Sequence, residues 1–180
     1  MIAEETLIGQ LKQPDRQQAA FEVLVDTYKE RLYWLIRRIV LNHDDADDVL
    51  QNTFIKVYKN ISGFKGDSKL YSWMYRIATN EALSFLKNKS KQLGISDVEL
   101  QNRLVDNLQA DVYFEGDEIQ LKLQQAIATL PEKQKLVFNM KYFDELKYEE
   151  ISKILNTSVG GLKASYHLAV KKLESFLKED

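Results

Sequence analysis

The sequence predicts an all-α protein made of two small helical domains joined by a linker. Apolar residues recur with the helical period across 16–41 and again across 45–59. Near the other end of the chain, helical patterns over 148–155 and 158–177 are separated by a short break, which predicts a helix-turn-helix. A chain of 180 residues suits one large or two small domains. The expected parts are a first domain over 1–89, a linker over 90–117 and a second domain over 118–180.

The first domain begins with two predicted helices. A short one over 3–12 has Leu7, Ile8 and Leu11 on its apolar side. Pro14-Asp15 marks a break, and a long helix follows from about residue 16 to 41. Its apolar positions keep the helical period; they are Ala20, Phe21, Leu24, Val25, Tyr28, Leu32, Leu35, Ile36 and Ile39.

The third predicted helix, over 45–59, has two contrasting faces. Its apolar stripe is formed by pairs four residues apart, while Asp48, Gln51 and Asn52 fall on or near the other face. Aspartates crowd its start, where negative charge complements the helix dipole. The sequence lacks the loop glycine and the ligand alternation of a cation site, so this charge is assigned to the helix start.

A fourth helix over 68–88 follows a loop that contains Lys65-Gly66-Asp67. This helix carries Tyr71, Trp73, Tyr75 and Arg76 within a stretch of six residues. Aromatic rings beside a cation suit stacking on unpaired bases. The alternative is that some of these rings, Trp73 among them, belong to the core.

The linker is acidic, and the second domain is close to neutral. Residues 91–117 carry two Lys/Arg against six Asp/Glu, and the helical period weakens there, with a possible short helix over 98–108. Helices are expected over 118–129 and, with Pro131 in its first turn, to about Tyr142. Ser158 is a good N-cap for the last helix.

Spacing assigns two faces to the helix-turn-helix. An inward stripe is predicted for Ile151, Leu155, Val159, Leu162, Tyr166, Ala169 and Leu173. The outward residues are Gly160, Gly161, Lys163, Ala164, His167 and Lys171. Small residues at the helix start allow close approach to DNA, and lysines reach phosphates or base edges. The alternative is a helical hairpin with a solvated, lysine-bearing face.

Composition narrows the function classes. The chain has no cysteine, which fits a reducing cytoplasm, and it has no apolar run of the roughly 18 residues that a membrane span needs. It has no Gly-rich phosphate loop, and its two histidines lie far apart. We therefore expect a cytoplasmic protein that is not inserted in a membrane and is not an enzyme, with no metal and no cofactor. A net charge of −2 is unusual for a nucleic-acid binder, but the acid is concentrated in 91–117, and both flanks are near neutral with local basic clusters. A chain of this kind with weak intrinsic DNA affinity would need a large partner to bring it to DNA.

Two stretches resemble a known family. The D-D-V-x-Q helix, the F-K-G-D-S loop and the Y-S-W-M-Y-R-I-A-x-N run closely resemble region 2 of bacterial sigma factors of the extracytoplasmic function (ECF) group, in the sigma-70 family. The run PEKQKLVFxMKYFDxLKYEEISKILNTSVGGLKASYHLAVKKLESFL resembles region 4 of the same group. The resemblance implies a region 2 bundle and a region 4 helix-turn-helix that direct core RNA polymerase to promoters.

The resemblance also implies which residues act. Polymerase would be bound by Asp48, Gln51 and Asn52. The minus-ten strand would be opened and read by Phe64, Lys65, Gly66, Asp67, Tyr71, Trp73, Tyr75, Arg76 and Asn80. The minus-thirty-five duplex would be read by Ser158, Gly160, Gly161, Lys163, Ala164, His167, Leu168 and Lys171. Ala164 and Leu168 stand where the family often has Ser and Arg, which predicts a more apolar readout.

The implied partners are core RNA polymerase, promoter DNA and an anti-sigma factor. Two other hypotheses remain open at this point. A stand-alone helix-turn-helix regulator would bind specific DNA without polymerase. A helical adaptor would bind protein only, and would need neither Asn80 nor the 163–168 face.

Overall fold

The computed structural model describes residues 3–108, 110–111 and 117–178, and every regular element in these ranges is helical. This confirms the all-α prediction. The elements are α1 (Glu4–Leu11), α2 (Gln17–Val40), α3 (His43–Asn60), a 3-10 turn (Ile61–Gly63), α4 (Leu70–Leu93), α5 (Asp97–Leu108), α6 (Glu118–Ala128), α7 (Glu132–Tyr142), α8 (Tyr148–Leu155) and α9 (Val159–Lys178). Among the described helices, none combines the length and apolarity that crossing a membrane requires.

Local signals set the sharp corner between α2 and α3. Leu41 adopts a left-handed conformation with φ of 57°, and its backbone N–H donates to the carbonyl of Arg37, which closes α2. The next residue, Asn42, is extended, and its side-chain oxygen accepts a hydrogen bond of 2.9 Å from the backbone N–H of Asp45. Asn42 therefore caps α3, and the two long helices are joined only by their adjacent cap residues, Leu41 and Asn42.

Replacing Asn42 by alanine should lower the free energy of unfolding by about 1 kcal/mol, because alanine offers no oxygen to the backbone N–H of Asp45. Urea denaturation followed by circular dichroism measures the change. Asn88→Ala is the control, since Asn88 is an exposed residue inside α4 where alanine has the higher helix propensity. An equal loss in both variants would contradict the capping role.

The first domain is a bundle in which α2, α3 and α4 pack against one another and α1 packs on α2. Its core is apolar and closely packed around three fully buried side chains, Leu35, Ile36 and Met74. Burying aliphatic side chains of this size stabilises the bundle by roughly 1.5–3 kcal/mol each. The bundle thereby fixes α3, which carries the predicted polymerase-binding residues, and α4, which carries five of the predicted minus-ten residues.

Helical structure continues into the segment predicted as a linker. Helix α4 does not stop at residue 88 but runs to Leu93, where Gly94 ends it with a positive φ of 66°. Helix α5 follows, close to the short helix predicted over 98–108, and its Leu100 and Leu104 pack on Leu41. The acidic segment is thus attached to the first domain over much of its described length.

The second domain places α7 and α8 against α9, with α6 closing the other side. Its own core is formed by Ala126, Ile127, Leu130, Phe138, Ala169 and Leu173. The inward stripe predicted for the helix-turn-helix is confirmed at Ile151, Leu162, Ala169 and Leu173, which are buried. Leu155, Val159 and Tyr166 are half-buried, because Ile154 takes the deeper position in α8.

The two domains are packed together. The apolar core of the bundle continues without a break into the second domain through Leu136, Val137, Met140, Leu146, Ile151, Ile154 and Leu162. Helix α8 lies on α4, and α7 contacts α2. A partly buried ion pair between Arg38 of α2 and Asp144, in the turn after α7, joins the domains a second time.

Candidate nucleic-acid and protein interfaces

One face of α3 is polar and open to solvent. Asp48, Gln51 and Asn52 are all exposed there, beside Ile55, which is 50% exposed. The neighbouring aspartates are engaged: Asp45 pairs with Lys89, and Asp47 lies 3.4 Å from His43. Asp48 has no ion-pair partner among the described residues, so this polar strip with an exposed isoleucine is chemically suited to a protein partner.

The loop between the 3-10 turn and α4 is anchored at one end and open at its tip. Phe64 is 4% exposed, its ring centroid is 5.2 Å from that of Trp73, and its carbonyl accepts a hydrogen bond of 2.7 Å from Lys12. Lys65, Gly66 and Asp67 are exposed, and Gly66 has a φ of 78°, which strains other residues. The loop thus presents its tip to solvent while Phe64 holds its base.

The aromatic residues of α4 do not form one exposed platform. Tyr71 and Trp73 are half-buried, and Tyr75 is buried at 1% exposure. Arg76 and Asn80 are exposed, and their spacing puts them on one side of the helix with Trp73. Phe64 and Tyr75, which were predicted to contact the strand, instead contact protein. Phe64 packs on Trp73 from the loop before α4, and the helical period had given Tyr75 a face of α4 but not its depth.

The outer face of α9 carries small residues followed by cations. Gly160, Lys163, Ala164, His167 and Lys171 are exposed, and Leu168 is 48% exposed. The hydroxyl of Ser158 accepts a hydrogen bond of 3.2 Å from the backbone N–H of Gly161, as expected for an N-cap. A Cβ added at Gly160 would meet open space, whereas one at Gly161 would lie 3.2 Å from that hydroxyl. The start of α9 therefore offers a smooth surface with lysines beyond it.

Helix α8 contributes a group that sequence reasoning did not find. One carboxylate oxygen of Glu150 accepts from the hydroxyl of Tyr71 and, at 3.0 Å, from the amine of Lys69. Arg76 donates to the carbonyl of Lys153 in the same helix. These contacts join residues 79 and 77 positions apart, so no local pattern announces them.

The pKa values of both Tyr71 and Glu150 are shifted by this contact. Burial and the bond to Glu150 raise the pKa of Tyr71 to about 12. Burial alone would raise the pKa of Glu150, but the hydrogen bonds from Tyr71, the backbone of Lys147 and Lys69 outweigh it and hold that pKa at about 2. Glu150 is therefore a carboxylate that binds Tyr71 of α4 and Lys69 just before α4, and the tyrosine hydroxyl keeps its proton.

The chain joins a helical bundle with an exposed polar face to a helix-turn-helix whose second helix carries lysines, which is the arrangement of a two-domain DNA-binding protein. Residues 24–92 match the Sigma-70 region 2 family model, and residues 120–173 match Sigma-70, region 4. The chain is 33% identical to the ECF RNA polymerase sigma factor SigW of Bacillus subtilis (strain 168), over 96% of this chain and 95% of that protein. The chain belongs to the ECF sigma factors of the sigma-70 family.

Other relatives and solved structures agree. The RNA polymerase sigma-H factor of Pseudomonas aeruginosa is 30% identical over 97% of this chain and 94% of that protein. The fold matches a structure of CnrH in complex with the cytosolic domain of CnrY, with a TM-score of 0.72, 21% identity and 99% of both chains covered. It also matches sigma factor RpoE in complex with the anti-sigma factor NepR from Bartonella quintana, with a TM-score of 0.67, 19% identity, and 89% of this chain and 98% of that one covered.

Membership in this family defines the activity. The chain is a transcription initiation factor that acts with RNA polymerase at specific promoters. Its two matched regions correspond to the bundle and to the helix-turn-helix module.

Proposed function

We propose that the polar face of α3 binds core RNA polymerase. The proposal is supported by the exposure of Asp48, Gln51 and Asn52 and by an Asp48 carboxylate that pairs with no described residue. The adjacent Ile55 adds apolar area at the centre of the patch. A mixed patch of this kind supplies both orientation and burial on docking.

In the same proposal, the loop over 62–69 and α4 open and read the minus-ten strand. Lys65, Gly66 and Asp67 at the loop tip surround a base that has left the stack, and Phe64 holds the loop from beneath. Asn80 offers an amide with both donor and acceptor groups to a base edge. Unstacking a base costs a few kcal/mol, which pocket contacts and stacking offset.

The remaining α4 residues either contact the strand or support those that do. Trp73 and Arg76 lie beside Asn80 and complete the reading surface once the domains separate. Tyr71 becomes accessible at the same time, and Tyr75 supports it from the core, since the two rings meet edge to face at 5.8 Å. No step in this opening requires chemistry by the chain, so the protein acts without a cofactor and is not an enzyme.

Helix α9 enters the major groove at the minus-thirty-five element. Ser158, Gly160 and Gly161 allow its start to approach the DNA backbone, and Lys163 and Lys171 reach phosphates. Ala164, His167 and Leu168 face the base edges, where the small and apolar side chains suit thymine methyl groups. The observation that carries the whole proposal is that the two exposed faces, on α3 and on α9, differ in chemistry and lie on separate domains.

We place this activity in the cytoplasm, where a cysteine-free chain that works with RNA polymerase would act. An anti-sigma protein is its proposed regulator. This is supported by the similarity of the fold to two sigma factors whose structures are complexes, one with the anti-sigma factor NepR and one with the cytosolic domain of CnrY.

Reconstituted transcription tests the proposed function. Core polymerase would be incubated with DNA fragments from the source organism, with and without the chain, and transcript 5′ ends would be mapped. We expect chain-dependent start sites preceded by two shared sequence elements. Specific DNA binding in the absence of polymerase, without such start sites, would instead favour a stand-alone regulator.

Lys163→Ala should weaken promoter binding by the holoenzyme and reduce the slope of log affinity against log salt by about one, because one phosphate contact is lost. Lys172→Ala is the matched control, since Lys172 is also exposed but lies on the opposite side of α9. Filter binding across a salt series measures both. An unchanged slope for Lys163→Ala would remove Lys163 from the phosphate contacts.

A further inference from the structure

The contact between α8 and α4 covers the beginning of the proposed minus-ten surface. Ile151 and Ile154 of α8 are buried in the same core as Met74 of α4. Around this apolar contact, the polar groups of α4 turn toward α8: Arg76 donates to the carbonyl of Lys153, and Tyr71 donates to Glu150. A single strand lying along this part of α4 would collide with α8.

The position of Glu150 within this contact resembles that of a bound anion. Its Oε1 accepts from the amine of Lys69 at 3.0 Å and from the hydroxyl of Tyr71, while Oε2 accepts at 3.0 Å from the backbone N–H of Lys147. The guanidinium of Arg31 lies 5.1 Å from the ring centroid of Tyr71 and adds positive charge nearby. The side chain of Glu150 is only 16% exposed.

The same donors suit a phosphodiester. Lysine amines and tyrosine hydroxyls are common ligands of DNA backbone phosphates, and a carboxylate oxygen accepts hydrogen bonds as a phosphate oxygen does. Lys69 is the N-cap residue of α4, and Arg76 and Asn80 follow it at intervals of seven and four residues. This spacing puts the three residues on the same side of the helix. Lys69 and Tyr71 bind the same oxygen of Glu150, and Arg76, which is proposed to read the strand, contacts the same helix α8. The donors therefore lie in the part of α4 that α8 covers.

We propose that Lys69 and Tyr71 form a binding site for a backbone phosphate of single-stranded DNA, and that Glu150 occupies this site in the closed chain. The second domain thereby competes with the strand, and the site becomes available when α8 leaves α4. This inference rests on the proposed role of α4 in strand binding. It identifies a backbone phosphate as the ligand and Glu150 as its competitor, and it explains how the closed chain avoids binding DNA by itself.

Glu150→Gln is the decisive variant. Glutamine keeps the shape of the side chain and can still accept from the backbone of Lys147, so the start of α8 stays capped. It removes the charge that holds Lys69 and Tyr71. Glu149→Gln is the matched control, because Glu149 is the neighbouring residue, carries the same charge and is exposed.

The experiment measures strand binding by the full-length chain without polymerase. The probe is a fluorescein-labelled mixed-sequence DNA of about twelve nucleotides, followed by anisotropy at low salt. We expect Glu150→Gln to bind about tenfold more tightly than the natural chain, because a larger fraction of molecules becomes competent. Glu149→Gln should bind at most slightly more tightly. Adding Lys69→Ala to Glu150→Gln should remove the gain.

Domain separation is measured in the same variants. Because the natural chain has no cysteine, Ser62→Cys and Ser175→Cys, both at exposed positions, accept a donor and an acceptor dye selectively. Energy transfer should fall in Glu150→Gln and remain unchanged in Glu149→Gln. Opening without tighter strand binding would overturn the phosphate site, and so would equal tightening in both variants. Tighter binding with the domains still closed would overturn the competition.

The result is separable from the proposed function. The probe contains no promoter element and the assay contains no polymerase, so failure of promoter-directed transcription leaves this measurement interpretable. Conversely, a chain that transcribes normally but shows no difference between Glu150→Gln and Glu149→Gln overturns only the present inference.

Discussion

Replacing Asp48 and Gln51 together by arginine should reduce promoter-directed transcription by at least about 100-fold. Both side chains lie on the exposed face of α3 that we propose docks on polymerase. A reversed charge inside such an interface costs several kcal/mol, and about 2.8 kcal/mol already corresponds to a factor of 100. The measurement is multi-round transcription from a promoter identified by the 5′-end mapping, together with co-purification of the chain with core polymerase.

A charge-matched control separates docking from general electrostatics. Gln18→Arg combined with Glu22→Arg likewise replaces one glutamine and one carboxylate by arginine at exposed positions of α2, and it changes the net charge by the same amount. This control should transcribe normally and unfold at the same urea concentration as the natural chain. If both double variants lose activity equally, the loss reflects charge alone and the α3 face is not the docking site.

Asn80→Ala should leave polymerase binding intact and reduce promoter opening by about 10- to 100-fold. Asn80 is exposed, and its amide can form a paired donor and acceptor contact with one base, a contact worth roughly 1–3 kcal/mol. Permanganate reactivity of unpaired thymines in the holoenzyme complex measures opening directly. Co-purification with core polymerase in the same preparation measures docking.

Asn88→Ala provides the matched control for this prediction as well. It removes the same amide from an exposed position further along α4, beyond the proposed strand contacts. Opening should therefore be unchanged. Loss of polymerase binding by Asn80→Ala would mean that this part of α4 belongs to the docking surface instead.

The helices were predictable because their signals are local. Ser158 was predicted to cap the last helix, and it accepts from the backbone N–H of Gly161, three residues on. The long second helix was predicted from the spacing of its apolar residues alone. The end of α4 was placed too early because the apolar period weakens after residue 88, while the helix itself continues to Leu93. Backbone hydrogen bonds continue a helix past the point where its apolar face stops.

The parts of the site that depend on distant residues were not predictable. The helical period put Tyr75 on α4 beside Tyr71, but only the packing of residues distant in sequence decides that Tyr75 is buried. Glu150 has the sequence position of an ordinary residue in the first turn of a helix. Its contacts with Lys69 and Tyr71 arise from the docking of two domains, and no spacing within either domain encodes that docking.

The unbroken apolar core has a consequence for the lifetime of the protein in a cell. When α8 leaves α4, Ile151 and Ile154 lose their cover together with the side chains beneath them. An open molecule that is not bound to polymerase would expose apolar surface to proteases and to other open copies of the chain. The chain should therefore be degraded faster when it is in excess over the available polymerase, and its abundance should follow that of the polymerase.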